Sequence, residues 1–438
     1  GCLHNYINAE IVGGSIKSLH DAIDYITWTF LFRRLLVNPS YYGLQDTSPE
    51  SINTFLLDLL TTVLGELEEA GCIGFGDEDD TETQGIARME KIEPLTLGFI
   101  ASYYYLEYSS VSMFQENLSE DSKISDLLTI LSDASEYNEL PVRHNEEKIN
   151  EVLAQKVRWA VTEGYEDPHV KANILFQCHM QRIALPMTDF YTDTQSLLDQ
   201  SIRILQALID ISAENGYLHT TLNLMTLTQM IVQGSWETKE PTLLIPRMPK
   251  RAEDVLKSKG RIKSLTDLIR ANDKERKAFL QRAGCKPQNV HKVTATLDRL
   301  PDLEVKYKLP ESGSEGNPAP PGSVVPLMLR LKRSRSLSGK AAMQKIGKAK
   351  AEGWWVVIGR EDIGELVALK RVTCRSMTTV NLDFDAPDEE GVYEFVIHLI
   401  SDTYRGLDRS RSMEVVIGGR EEDDELDEGK FQGSKEST

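Results

Sequence analysis

Apolar residues recur at three- and four-residue spacing through most of the first 300 positions, and after Pro301 the spacing becomes strict alternation. That switch predicts a mainly α-helical chain closed by a β-rich unit. The clearest helical pattern runs from Asp167 to Leu218. Asp167-Pro168 opens one helix with a carboxylate cap and a proline at the first helical position, where no amide hydrogen is missed. A second helix is expected from near Thr194 to Asn215-Gly216, which reads as a C-terminal stop. Its apolar positions are Leu198, Ile202, Leu205, Leu208, Ile209 and Ile211. Arg203, Gln206 and Asp210, spaced three and four apart, project together from another face of that helix.

The rest of the chain divides by the same signals. In residues 1–75 one helix is expected from a cap at Ser18 to Asn38-Pro39, and another from Ser48-Pro49 to Gly71, with CIGF after it as a short strand. Residues 76–92 read as an acidic linker. Residues 93–240 are helical almost throughout, broken at Pro141, Asp167-Pro168, Pro186 and Asn215-Gly216. Prolines from Pro241 to Pro249 lead into short helices punctuated by Gly260 and Gly284, so residues 241–301 read as a helix-loop-helix unit. Its turn amides are candidate phosphate contacts. In residues 302–420 alternation at Glu304 to Leu309, Thr378 to Phe384 and Tyr393 to Leu399, together with Val324 to Leu331, Trp354 to Ile358, Leu366 to Val372 and Met413 to Ile417, gives about seven strands, which suits an immunoglobulin- or fibronectin-like β-sandwich. Two insertions, Glu311 to Gly322 and the basic Arg333 to Lys350 with its RSRS repeat, read as flexible loops. Residues 421–438 read as an acidic disordered tail.

Charge and composition narrow the function. The 438 residues are 40% hydrophobic and 27% charged, as in globular chains, with a net charge of −19. Proteins that rely on phosphate contacts are usually basic, so the chain as a whole is not a basic RNA-binding surface. Five scattered cysteines (Cys2, Cys72, Cys178, Cys285, Cys374) without a CxxC pair predict buried free thiols in a reducing compartment. No apolar run is long enough to span a membrane, and no signal-peptide pattern opens the chain. GxxxxGK[ST], HExxH and GxSxG are absent, and His169 and His179, ten apart, do not form a metal pair. No catalytic or metal-ligating residues are expected.

Several segments resemble superkiller-type superfamily 2 helicases. DPHVKAN, SIRILQALIDI and the closing NGYL are similar to the helical bundle of that family, a module named after a translocon-associated J-protein. Asn8 to Leu44 resembles the winged helix preceding the bundle, and Leu97 to Phe114 and EYNELPVRHNE resemble its opening helices. GWWVVIG and SDTYRGLD look like the family's terminal β-sandwich. The likeness is greatest to the second, C-terminal cassette of the spliceosomal members, which unwind U4/U6. A winged helix has an earlier helix before the two read above, so the chain is expected to begin inside a longer polypeptide. The resulting expectation is a multidomain, mainly α fold (winged helix, helical bundle, helix-loop-helix) with a C-terminal immunoglobulin-like sandwich.

The resemblance also implies roles. In processive relatives the arginine-bearing helix lies across the strand path as a ratchet, which makes Arg203, with Gln206 and Lys171, the candidate RNA contacts. His169, Asn173 and Asp210 are the candidate structural or interdomain residues. ATP and magnesium would bind motor domains outside this sequence, so no cofactor is expected here. The implied role is a non-catalytic, nuclear, protein-docking platform in pre-mRNA splicing, partnered by spliceosomal proteins, upstream motor domains and a first cassette. Asp210, whose carboxylate repels phosphate, and Trp- and Tyr-bearing sandwich strands taken as exposed favour docking. The alternatives are an RNA-guiding ratchet of an active cassette, or the same module in a ribosome- or transcription-associated tandem helicase.

Overall fold

The computed structural model describes residues 2–76, 85–309, 313–314, 317–334, 341–348 and 350–418. The acidic run Asp77 to Asp80, the tail from residue 421 and the RSRS repeat from residue 335 lie outside the described residues. Among those described, no helix is long and apolar enough to cross a membrane.

The N-terminal unit holds α1 (Cys2–Val12), α2 (Leu19–Thr27), α3 (Phe30–Val37) and α4 (Pro49–Glu69), then the hairpin β1 (Ile73–Phe75) and β2 (Ile92–Pro94). Ser18 and Ser48 cap as their positions predict, accepting from the amides of Asp21 and Ser51. Two expectations are corrected. Helix α1 precedes the two helices read from sequence. The first of those breaks at Trp28-Thr29, where Thr29 adopts extended backbone just before α3 and its hydroxyl donates back to the Ile26 carbonyl. The apolar run across the break hides it: Trp28 and Phe30 remain 89% and 73% exposed.

The bundle comprises α5 (Thr96–Tyr104), α6 (Tyr108–Asn117), α7 (Ile124–Ser132), α8 (Glu146–Ala154), α9 (Pro168–Gln181), α10 (Thr188–Glu214) and α11 (Leu218–Gln233). Asp167 caps α9 through the amides of His169 and Val170, with Pro168 in the first turn. Helix α10 begins at Thr188 rather than near Thr194. The polar connector after Pro186 lacks glycine and proline, so nothing in it prevents the helix from starting early. The following unit is α12 (Ala252–Lys257), α13 (Leu265–Arg270), α14 (Asp273–Arg282) and α15 (Pro287–Leu297).

The seven expected strands form: β3 (Leu303–Lys308), β4 (Val324–Arg333), β5 (Trp354–Arg360), β6 (Glu365–Val372), β7 (Met377–Asp385), β8 (Gly391–Ser401) and β9 (Arg409–Ile417). They make two antiparallel sheets, ordered β3-β4-β7 and β6-β5-β8-β9. Leu327, Leu329 and Phe384 of one sheet and Trp354, Val356, Ile358 and Phe395 of the other form a shared core.

The second face of the four-stranded sheet is buried too. Trp355, Val357 and Leu366 join the core of the winged helix and bundle, and the other core is shared by the sandwich and α12–α15. Trp354 and Trp355 are 2% and 1% exposed, so the expectation of exposed tryptophan strands is corrected. The described half of the basic insertion is also no free loop. Lys345 donates its amide to Val232 of α11, Ala342 donates to the Tyr404 hydroxyl, and Gln344 and Lys350 exchange two hydrogen bonds. The four cysteines with described side chains (Cys72, Cys178, Cys285, Cys374) are buried and unpaired.

Candidate nucleic-acid interface

Arg203 lies midway along α10, where that helix crosses the end of α5. The last carbonyls of a helix lack internal partners and carry the negative end of its dipole, so a cation there is favoured. The Arg203 guanidinium donates to the Tyr104 carbonyl at 3.0 Å, to the Tyr105 carbonyl, and to Gln200 Oε1 at 2.7 Å. Tyr105 ends α5 in the left-handed region, at φ 53°. Arg203 therefore acts as a clamp on the α5 terminus, and most of its donors are spent on protein.

Asp210 is two turns further along α10. Its carboxylate accepts from the Tyr104 hydroxyl at 2.5 Å. Burial raises its pKa, partly offset by that bond and by the nearby Arg371 of β6. Burial and the Asp210 charge together push the Tyr104 hydroxyl well above its usual range. Asp210 thus ties α10 to α5, with Arg371 of the sandwich nearby. Gln206, between the two, lines a cleft of about 570 Å³ beside Tyr103, Arg371 and Lys350, at the seam of bundle and sandwich. The three side chains share a face as the spacing predicts, and that face packs on α5 and β6.

Lys171 is corrected as a strand contact, because it is fully buried. Its ammonium donates to the Pro141 carbonyl at 2.5 Å, and to Glu146 Oε2 and Asp193 Oδ2 at 2.7 Å each. The Phe190 ring lies 4.7 Å away. Arg143 donates to the same two carboxylates, twice to Asp193 at 2.7 and 3.1 Å. Burial opposes ionisation of Glu146 and Asp193, but the hydrogen bonds from Lys171 and Arg143 outweigh it and hold both pKa values below the usual range. Buried Lys171 thus faces two buried carboxylates, and Arg143 covers them from the exposed side of the bundle. Arg143, Glu146 and Asp193 escaped sequence reasoning, yet a signal existed. Lys171 precedes Ile174, Leu175 and Cys178 by three, four and seven positions, which puts it on the apolar stripe of α9. A lysine there needs buried carboxylates.

His169 and Asn173 hydrogen-bond within the bundle. His169 Nδ1 lies 2.8 Å from the Ser132 carbonyl and Nε2 lies 2.7 Å from Asn138 Oδ1, tying α9 to the end of α7. Asn173 accepts from Gln177, which bonds both backbone groups of Trp159 and fixes the segment after α8. Arg203 faces a larger open space than the cleft beside Gln206. This larger cleft, about 980 Å³, lies between α1, the α5–α6 junction, residues 135–139 and α10.

The comparisons with known proteins cover nearly all of this architecture. The family described as Sec63 Brl domain matches residues 94–414, and a winged helix-turn-helix domain matches residues 1–77. The chain is 39% identical over 418 residues to the Arabidopsis thaliana "DExH-box ATP-dependent RNA helicase DExH14", covering 94% of the chain and 18% of that protein. It is 34% identical over 427 residues to the Homo sapiens "U5 small nuclear ribonucleoprotein 200 kDa helicase", covering 97% and 19%. It is 35% identical over 458 residues to the Dictyostelium discoideum "Activating signal cointegrator 1 complex subunit 3", covering 95% and 20%. The chain spans about a fifth of the length of these relatives. It belongs to the Sec63 Brl-domain family, carrying that domain behind a winged helix and homologous over most of its length to these relatives.

Proposed function

We propose that this chain is a non-catalytic accessory module of an RNA helicase, acting as a protein-docking and regulatory platform for motor domains and partner proteins. The observation that carries this reading is the set of exposed large apolar side chains on an acidic chain. Trp28, Phe30, Val37 and Tyr41 of the winged helix are 89%, 73%, 85% and 70% exposed, and Tyr103 and Tyr105 of the bundle are 74% and 87% exposed. Apolar patches of this kind mark interaction surfaces. The relatives' names offer two settings, a U5 small nuclear ribonucleoprotein and an activating signal cointegrator 1 complex. Identities of 34% and 35% favour neither. Pre-mRNA splicing, with U4/U6 unwinding and a nuclear location, is the setting proposed first, and the cointegrator setting is its alternative.

One observation favours a second reading, RNA guiding. Residues 241–301 hold fifteen Lys and Arg against six Asp and Glu, a local charge of +9 in a chain of −19. Lys274 and Lys277 of α14 are exposed, and such a surface attracts phosphates. The test is fluorescence anisotropy of labelled single-stranded RNA at low and moderate salt. On the docking reading no binding tighter than about 100 μM, the weak end of non-specific affinity, is expected at moderate salt. Tighter, salt-sensitive binding that is lost in Lys274→Glu/Lys277→Glu, or in Arg203→Glu, would move the assignment to RNA guiding.

A further inference from the structure

The 980 Å³ cleft beside Arg203 has a chemistry opposite to that of a strand path. Glu107, Glu136 and Glu139 line it, while Arg203 is its one lining Lys or Arg among the described residues, with donors committed to the Tyr104 and Tyr105 carbonyls and to Gln200. Tyr6 and Tyr105, 65% and 87% exposed, stand at its walls. Asn8 also lines the cleft. It is 2% exposed, its Nδ2 donates to the Gly98 carbonyl at 3.0 Å, and its Oδ1 has no donor. Glu107 and Glu136 are held in place by Asn5, Ser110 and the Glu107 amide, so their carboxylates are positioned before any ligand arrives. Fixed carboxylates with free lone pairs, beside exposed tyrosine faces, suit guanidinium and ammonium groups through charged hydrogen bonds and cation–π contact. The same carboxylates repel phosphate.

We propose that this cleft between the winged helix and the bundle docks an extended, arginine- or lysine-bearing segment of a partner protein. The site rests on the docking reading and gives it a location and a ligand chemistry. A basic side chain would enter between Glu136 and Glu139, and a neighbouring residue would lie against Tyr105. The negative lining excludes single-stranded RNA, although Arg203 is present.

The test uses the whole chain and a fluorescein-labelled peptide of alternating glycine and arginine, with a glycine–glutamate peptide and a labelled oligouridine beside it. The arginine peptide alone should bind. Glu139→Lys should weaken it about tenfold, as loss of a close charge pair does. Tyr105→Asn should weaken it less, and asparagine suits the left-handed backbone, so the fold is retained. Glu414→Lys serves as the control for general charge attraction. Glu414 is exposed on β9 opposite Glu394, far from the cleft in sequence, and lysine there gains a cross-strand partner. Equal weakening by Glu414→Lys and Glu139→Lys would overturn the site while leaving the docking reading standing. Failure of the arginine peptide to bind the wild-type chain at low salt would also overturn it. Tighter binding of oligouridine, competed by the arginine peptide, would overturn both the site and the docking reading.

Discussion

At the residue scale, Lys171 is a fully buried charge whose partners are all protein groups. Its ammonium has three oxygen acceptors and no solvent exposure, and both of its carboxylate partners are also held by Arg143. Removing one member of a buried pair leaves the other charges uncompensated, which costs about 3–5 kcal/mol. Lys171→Met should therefore lower bundle stability by about that much, read as a shift in the urea midpoint. A shift under about 1 kcal/mol would mean that Arg143 alone balances the carboxylates. The pH dependence has a defined sign. Glu146 and Asp193 have pKa values depressed in the folded state. Their contribution is present above the ordinary carboxylate range and is lost as pH falls through their lowered folded values. Acid should destabilise the wild-type bundle more steeply than the Lys171→Met variant.

At the element scale, helices reveal themselves through caps and apolar spacing, and the contacts between them do not. Asp167-Pro168, Ser48-Pro49 and Asn215-Gly216 marked true helix ends, and the change of period after Pro301 with the short segments that follow located the seven sandwich strands. The break at Trp28-Thr29 and the early start of α10 left no comparable trace, because neither carries a glycine or proline. The site was less legible. The family arginine was found at Arg203, but its carbonyl partners lie about a hundred residues away, beyond any local spacing rule. Gly98 of α5 shows the same limit. A Cβ on Gly98 would stand 2.2 Å from the Cys72 carbonyl oxygen, backbone that cannot rotate away. The Asn8 amide also donates to the Gly98 carbonyl, so α1, α5 and β1 meet at this glycine. Gly98→Ala should pry the winged helix from the bundle and cost about 1–3 kcal/mol, measured by thermal melting. An unchanged melting temperature would show that the junction is looser than its geometry.

At the scale of the whole molecule, two cores cut across the four sequence units. The four-stranded sheet belongs to both, through Trp355 and Val357 on one face and Trp354 and Val356 on the other. The polar counterpart of that seam is Asp408. Gln229 of α11 donates to both its oxygens at 3.1 Å, and the Ser401 amide donates to Oδ1 at 2.8 Å. Burial pushes its pKa up to about 6, against the opposing pull of these bonds and of Arg409 and Arg405. Because the folded value lies above the ordinary aspartate value of about 3.9, the folded state binds the proton more tightly. The stabilisation from this group is complete below about pH 4 and is lost as pH rises through about 6. This sign is opposite to that of the Glu146 and Asp193 pair, so the two effects separate along a pH series. Asp408→Asn keeps an acceptor for Gln229 and Ser401 without a buried charge. The variant should match the wild-type chain at acidic pH, melt at a higher temperature above pH 7, and flatten the curve between. If its melting temperature falls with pH as the wild type's does, the seam does not titrate through Asp408.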